Sequence, residues 1–257
     1  MISRLFPVLL VLLLAVLPAT AADLSGLDWV QRPGAPLPLD APLVDDHGAA
    51  TTLRAVAGGL PLILAPGYFR CPTLCGIVRD DLLSALQRSD LQAGRDYALA
   101  VVTIDPAETP GDAADAREGG LSRYPGAGAE QGWRYLTGSA ASLDAVQQAA
   151  GFHARFDPGL RQFLHPAGLL VASPAGLVSG YLMGVGYTPA DLDQAVGAAR
   201  AGVQQAAQVV RMFCFAVDPV TGRVTLLTMR ALRLLSVLTA LALGGVLAFL
   251  HLRRSPA

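Results

Sequence analysis

The sequence predicts an α/β layered domain with a mixed central sheet flanked by helices, followed by one C-terminal transmembrane helix. Three observations predict it. Short apolar runs of buried-strand length alternate with segments of helical periodicity from Leu60 onward. Late in the chain two apolar runs flank a Pro174-Ala175-Gly176 turn, which makes that pair antiparallel and the sheet mixed. Near the C-terminus, Leu234 to Leu250 forms 17 residues without a charge.

Arg4 precedes 13 almost purely apolar residues, Leu5 to Leu17, and then the small residues Ala19, Thr20, Ala21 and Ala22, so residues 1–22 read as a cleaved secretory signal peptide. Residues 231–252 would make about 33 Å of helix at 1.5 Å per residue, enough for a bilayer core of about 30 Å. They close on Arg253 and Arg254, so 253–257 is expected as a cytoplasmic tail. The expected location is the cell inner membrane, with a single span and the functional domain facing an oxidising periplasm.

Between the ends, Pro33, Pro36, Pro38 and Pro42 mark residues 23–42 as an extended lead-in with no core pattern, and the domain is expected over 43–210. Val44 to Leu53 suggests a small hairpin about Asp45-Asp46-His47-Gly48, and Leu60 to Pro66 a buried strand. After Cys75, Ile77, Val78, Leu82, Leu83 and Leu86 recur at helical spacing. A second strand follows at Tyr97–Ile104, a polar helix at Asp112–Tyr124 and a third strand at Trp133–Leu136. Ser139 caps a helix reaching Ala150, Ala167–Ala172 pairs with Leu177–Met183, and Asp191–Val210 is helical. Residues 211–230 connect the domain to the expected span.

Composition excludes several functions. The chain is 53% hydrophobic and 15% charged, and 19 basic against 20 acidic residues leave no positive excess for nucleic acid. All the basic residues are Arg, since Lys is absent, which removes P-loop lysine and Schiff-base chemistry.

Three cysteines, Cys71, Cys75 and Cys214, are too few for a disulfide scaffold. Cys71 and Cys75 follow a buried strand and open a helix, where unpaired N–H groups and the helix dipole favour thiolate. At i, i+4 spacing in a helix their Cα atoms would lie about 6 Å apart, within disulfide range. The pair can therefore cycle as a redox disulfide or hold a soft metal. His165 enters a strand, and strand ends are where ligand groups gather in an α/β sheet. Two thiolates and one imidazole would form a three-coordinate site, net negative with Cu(I) and neutral with Cu(II). Cys214, between two Phe residues, reads as a fourth ligand, an intermolecular thiol or a buried apolar residue, and its flanking rings favour the last.

These residues resemble the Sco (SenC) family, thioredoxin-fold copper chaperones that serve the binuclear copper centre of cytochrome c oxidase. The resemblance runs from about Leu43 to Ala207. It is carried by Val44-Asp45-Asp46-His47-Gly48, by Tyr68-Phe69-Arg70-Cys71-Pro72-Thr73-Leu74-Cys75, by Thr103-Ile104-Asp105-Pro106-Ala107-Glu108-Thr109-Pro110, and by His165. It implies a thioredoxin-like fold, a copper ion, Cu(I) or Cu(II), bound by Cys71, Cys75 and His165, and Asp105 as an acidic residue near the site. Two departures stand out. Glu108 replaces the second aspartate often seen before Thr-Pro, which weakens a role for a second carboxylate, and Pro166 follows His165, pushing it toward an extended conformation. The usual anchor precedes the domain, whereas here it is expected after it.

The implied partners are the copper-site subunit of cytochrome c oxidase, a thiol reductant or upstream copper donor, and the membrane through the C-terminal helix. A thiol-disulfide oxidoreductase that cycles Cys71 and Cys75 without obligatory copper is the alternative. A peroxidase using one cysteine to attack and the other to resolve, and a zinc-structured module, rank below it.

Overall fold

The computed structural model describes residues 26–70, 74–159, 161–206, 234–239 and 243–245, with the side chains of 74 and 75 outside that description. Nine strands and six helices fall within it. The strands are β1 (Leu43–Val44), β2 (Ala50–Thr51), β3 (Leu62–Gly67), β4 (Ala98–Thr103), β5 (Trp133–Gly138), β6 (Arg155–Asp157), β7 (Gln162–Leu164), β8 (Gly168–Ala172) and β9 (Val178–Met183). The helices are α1 (Leu53–Ala57), α2 (Leu74–Gln87), α3 (Pro110–Arg123), α4 (Ala129–Gly132), α5 (Ala140–Ala150) and α6 (Pro189–Arg200).

Seven strands form one sheet in the order β2-β1-β5-β4-β3-β8-β9, and β6 and β7 form a separate ribbon. β3, β4 and β5 are parallel, while β8, β9 and β1 are antiparallel to their neighbours. The central strands β3, β4 and β8 are buried along their whole length, because helices cover both faces. Alternation divides their side chains: Leu62, Leu64, Ala100 and Val102 pack toward α1 and α5. Ile63, Ala65, Leu99 and Val101 pack toward α2 and α6.

Local chemistry sets the helix starts. Thr109 and Thr188 each cap a helix with Pro at its first turn, and Asp112 and Asp191 complete reciprocal capping boxes. Ser139 caps α5 as expected from its sequence. At the hairpin between β1 and β2, Asp45 Oδ1 accepts from the amides of His47 and Ala49, leaving Asp46 to turn inward and accept from Tyr135 N.

Three expectations change. The transmembrane helix expected over 231–252 is overturned: among the described residues no helix is long and apolar enough to cross a membrane. Helical geometry there is described only over 234–239 and 243–245, about 9 and 5 Å of rise. Apolar composition had carried that expectation, and composition alone does not establish the length of a helix. The helix expected to reach Val210 ends at Arg200, because Gly202 takes a positive φ of 68° and turns the chain back onto β9, where Gln205 N donates to Ser179 O.

The lead-in, third, contributes to the core. Trp29, Leu37 and Leu39 are buried, and Trp29 meets Phe152 and Tyr181 edge-on at ring centroid distances of 4.8 and 5.4 Å. The same segment pairs with the first residue of β9 and with the turn before it: Gly34 N donates to Val178 O, Val178 N to Ala35 O, and Leu37 N to Gly176 O. Residues 1–25, 207–233 and 246–257, which carry the expected signal peptide, connecting segment and tail, lie outside the described residues. Replacing Trp29 with Ala should cost about 3–5 kcal/mol of stability, measured by chemical denaturation, as for an aromatic taken from a core; a loss below about 1 kcal/mol would show the lead-in to be an ornament on an independent domain.

Candidate metal centre

The site is built where β3 and β8 part. Their antiparallel ladder runs Leu62↔Ala172, Ile63↔Val171, Leu64↔Leu170 and then stops, while β3 continues beside β4 to Gly67. Pro66, which has no N–H to give, sits just past the last rung. Continued five residues at the same register, the two chains set position 165 across from position 69. His165 and Phe69 do border one cavity of about 20 Å³, with Tyr68, Val78, Arg79 and Pro166 among its other walls. That is room for one water-sized species.

His165 is half-buried between two rings, Tyr68 at 6.2 Å and Phe152 at 5.6 Å between centroids. Its Nδ1 lies 2.9 Å from Pro166 O. A carbonyl only accepts, so Nδ1 carries the hydrogen and Nε2 carries the lone pair that a metal requires. Burial lowers the imidazole pKa below 6.5, and the bond to Pro166 O opposes this only in part. The ring is therefore neutral at pH 7, its ligating form.

Cys75 lies in the first turn of α2, and Val78 and Arg79, three and four residues on, share its helix face and line the cavity. Cys71, residues 72–73 and Cys214 lie outside the described residues. Among the described residues no three His, Cys, Asp or Glu side chains converge on a metal-binding point. Asp105 is placed beside Arg70, with Oδ2 3.7 Å from Nη2, and is absent from the walls of the His165 cavity. His47 borders a different groove, of about 520 Å³, with Asp46, Arg117, Glu118 and Glu130.

Glu108 is the residue that sequence reasoning undervalued. Its side chain is completely buried, and its carboxylate accepts from the backbone amides of Phe69 at 2.9 Å and Arg70 at 2.7 Å and from the Thr103 hydroxyl. It grips the two amides immediately before Cys71. The Arg70 guanidinium adds charge at 3.7 Å from Glu108, Asp105 and Asp112 alike. Hydrogen bonds to a charged acceptor contribute about 1.5–3 kcal/mol each, so this carboxylate holds the start of the cysteine loop firmly. The signal was present in the sequence as an acid one residue before a Thr-Pro helix start; only the fold reveals where it points.

No protein-family model and no curated protein sequence matches the chain. Solved structures do match: a copper-bound ScoI from Arabidopsis thaliana has a TM-score of 0.52 at 19% identity, covering 66% of this chain and 99% of that one. A SCO1/SenC family lipoprotein from Bacillus anthracis has a TM-score of 0.51 at 14% identity, covering 65% and 96%. The fold is that of the Sco/SenC proteins. A putative electron transfer protein from Aquifex aeolicus shares this Sco/SenC-like architecture, with a TM-score of 0.58 at 26% identity over 66% of this chain and 95% of that one. The expected thioredoxin-like arrangement of a mixed sheet between helices is thus observed, whereas among the described residues no helix is long and apolar enough to cross a membrane.

Two outcomes follow. By NMR, His165 should titrate with a midpoint below 6.5, and its contribution to stability should fall as pH drops through that value, because the unfolded chain then takes up a proton that the folded ring resists. Glu108→Ala should destabilise the fold by about 3 kcal/mol, since two amides and a hydroxyl lose a buried acceptor together; a near-neutral effect in denaturant titration would contradict the clamp.

Proposed function

We propose that the protein is a copper chaperone of the Sco type. It holds copper through Cys71, Cys75 and His165 and delivers it to the binuclear copper site of cytochrome c oxidase. The observation that carries this reading is His165: a neutral imidazole with its Nε2 lone pair set by the Pro166 contact, in a cavity walled by the helix face that begins at Cys75. The copper in the Arabidopsis neighbour and the sequence resemblance support the choice of metal.

Thiolates are soft and an imidazole is borderline, so the donor set favours copper over magnesium or calcium. Three ligands leave a position through which an incoming ligand of the client takes hold before the donor lets go. The domain works on the exported, periplasmic side, where thiols oxidise, so a dithiol partner that returns the Cys71–Cys75 disulfide to two thiols belongs to the cycle. A thiol-disulfide oxidoreductase reading uses the same pair and needs no metal from His165.

Copper titration of the reduced full-length protein, followed through thiolate charge-transfer absorption and repeated with His165→Ala, separates the two. The chaperone reading expects one copper per chain, an affinity loss of at least about tenfold in the variant, equal to about 1.4 kcal/mol, and no binding after oxidation of the cysteines. Equal binding with and without His165, alongside intact disulfide exchange, would hand the site to the oxidoreductase reading.

A further inference from the structure

The groove that His47 borders, of about 520 Å³, shares no residue with the His165 cavity. Its volume falls within the range of about 300–1,000 Å³ usual for small-molecule sites. One wall is a face of α3, where Ala114, Arg117, Glu118, Leu121 and Ser122 recur at helical spacing. The β1–β2 hairpin contributes Asp46 and His47, and α4 contributes Glu130.

Three acidic residues thus line the groove against one guanidinium, and that guanidinium is already engaged. Arg117 Nε donates to Trp133 O and Nη2 to Glu130 O, with Nε 3.6 Å from Asp46 Oδ2, so its side chain is spent on building the wall. Glu118 and Glu130 are exposed, and neither carboxylate has a hydrogen bond or ion pair among the described residues. The Asp46 side chain is the opposite case, only 1% exposed. Its Oδ2 accepts from Tyr135 N at 2.9 Å, whereas Oδ1 is shut off from solvent and has no hydrogen bond among the described residues. His47 Nε2 lies 3.3 Å from that oxygen without bonding it, on a side chain that is 65% exposed and can turn aside at little cost.

A buried carboxylate oxygen without a donor is destabilising until a donor arrives. The groove therefore lacks donors and carries an excess of negative charge, even with His47 protonated. A metal ion does not meet those terms, since among the described residues no three His, Cys, Asp or Glu side chains converge on one point. A cationic head on an aliphatic stem does: its N–H groups suit Asp46 Oδ1, its charge suits Glu118 and Glu130, and its methylenes suit Ala114 and Leu121.

We propose that this groove binds an organic cation, a guanidinium or primary ammonium on a short aliphatic stem, which donates to Asp46 Oδ1 once the His47 ring turns aside. The site goes beyond the copper reading and stands whether or not the chain carries copper. The same chemistry reaches it either as a free amine or as an arginine side chain of another protein.

The test titrates the full-length protein by calorimetry, at low and high salt, with agmatine, with N-acetylarginine amide and with N-butylurea, a neutral analogue of the guanidinium. The cations should bind where butylurea does not, and their affinity should fall as salt rises. Tighter binding of agmatine identifies a free amine as the source, and tighter binding of N-acetylarginine amide a protein side chain. Glu118→Gln and Glu130→Gln should each weaken the cation about fivefold, the order expected when one charge a few ångströms away in a wet groove is lost. Asp46→Asn should weaken it at least about tenfold, and His47→Ala should bind at least as tightly as the wild type. No cation binding, butylurea binding as tight as that of agmatine, or affinities unmoved by the two Glu variants would overturn the proposal. Loss of binding in His47→Ala together with tight Zn²⁺ uptake by the wild type would also overturn it, because the groove would then be a metal site. Should Asp46→Asn fail to fold, the exposed Glu118 and Glu130 variants still decide the matter.

Discussion

Strand β3 carries two ladders of unequal length, and the working end of the molecule depends on that inequality. It stays paired to parallel β4 through Gly67 but leaves antiparallel β8 at Leu64. Had both ladders run to the same point, the ends of β3 and β8 would close over each other. Because they do not, Tyr68 and Phe69 face His165 and Pro166 across a gap with room for a single small species. A proline in an interior strand is normally excluded for want of a donor. Here Pro66 stands just beyond the β8 rungs, where the shorter ladder no longer calls for one.

Glu108 complements this arrangement from the β4 side. The loop leaving β4 brings a carboxylate back under the loop leaving β3 and ties the two through amides rather than side chains. The chain entering the cysteine segment is thereby referenced to the sheet, while Cys75 is referenced to α2. Buried carboxylates are tolerated only when donors surround them, and three donors converge on this one.

Much of the scaffold was legible in the sequence because buried strands and capped helices leave local marks. The apolar run at Leu60–Pro66 became β3 at Leu62–Gly67, Ser139 capped α5, and the Pro174-Ala175-Gly176 turn joined β8 to β9. What escaped depends on distant partners. Trp29 and Leu37 lie in a proline-punctuated stretch without periodicity, and only contact with Phe152 and β9 makes them core residues. The β6–β7 ribbon carries no alternation strong enough to announce itself over three-residue strands. His165 was legible as a metal-binding candidate by resemblance, but the tautomer set by Pro166 O and the rings on either side of it required the fold. The C-terminal span shows the opposite error: apolarity carried an expectation that no helix among the described residues meets.

The pairing of the lead-in with the start of β9 bears on the exposed edge of the sheet. A sheet ends in rows of unsatisfied amides and carbonyls that recruit strands from other molecules. One edge of this sheet is β2, only two residues long and too short to template anything. The other is β9, and at its start Gly34 and Ala35 bond Val178 while Gln205 N donates to Ser179 O. Residues that look like a mere tether thus cover the start of this edge, and a shortened form beginning at the first strand would leave those bonding groups open.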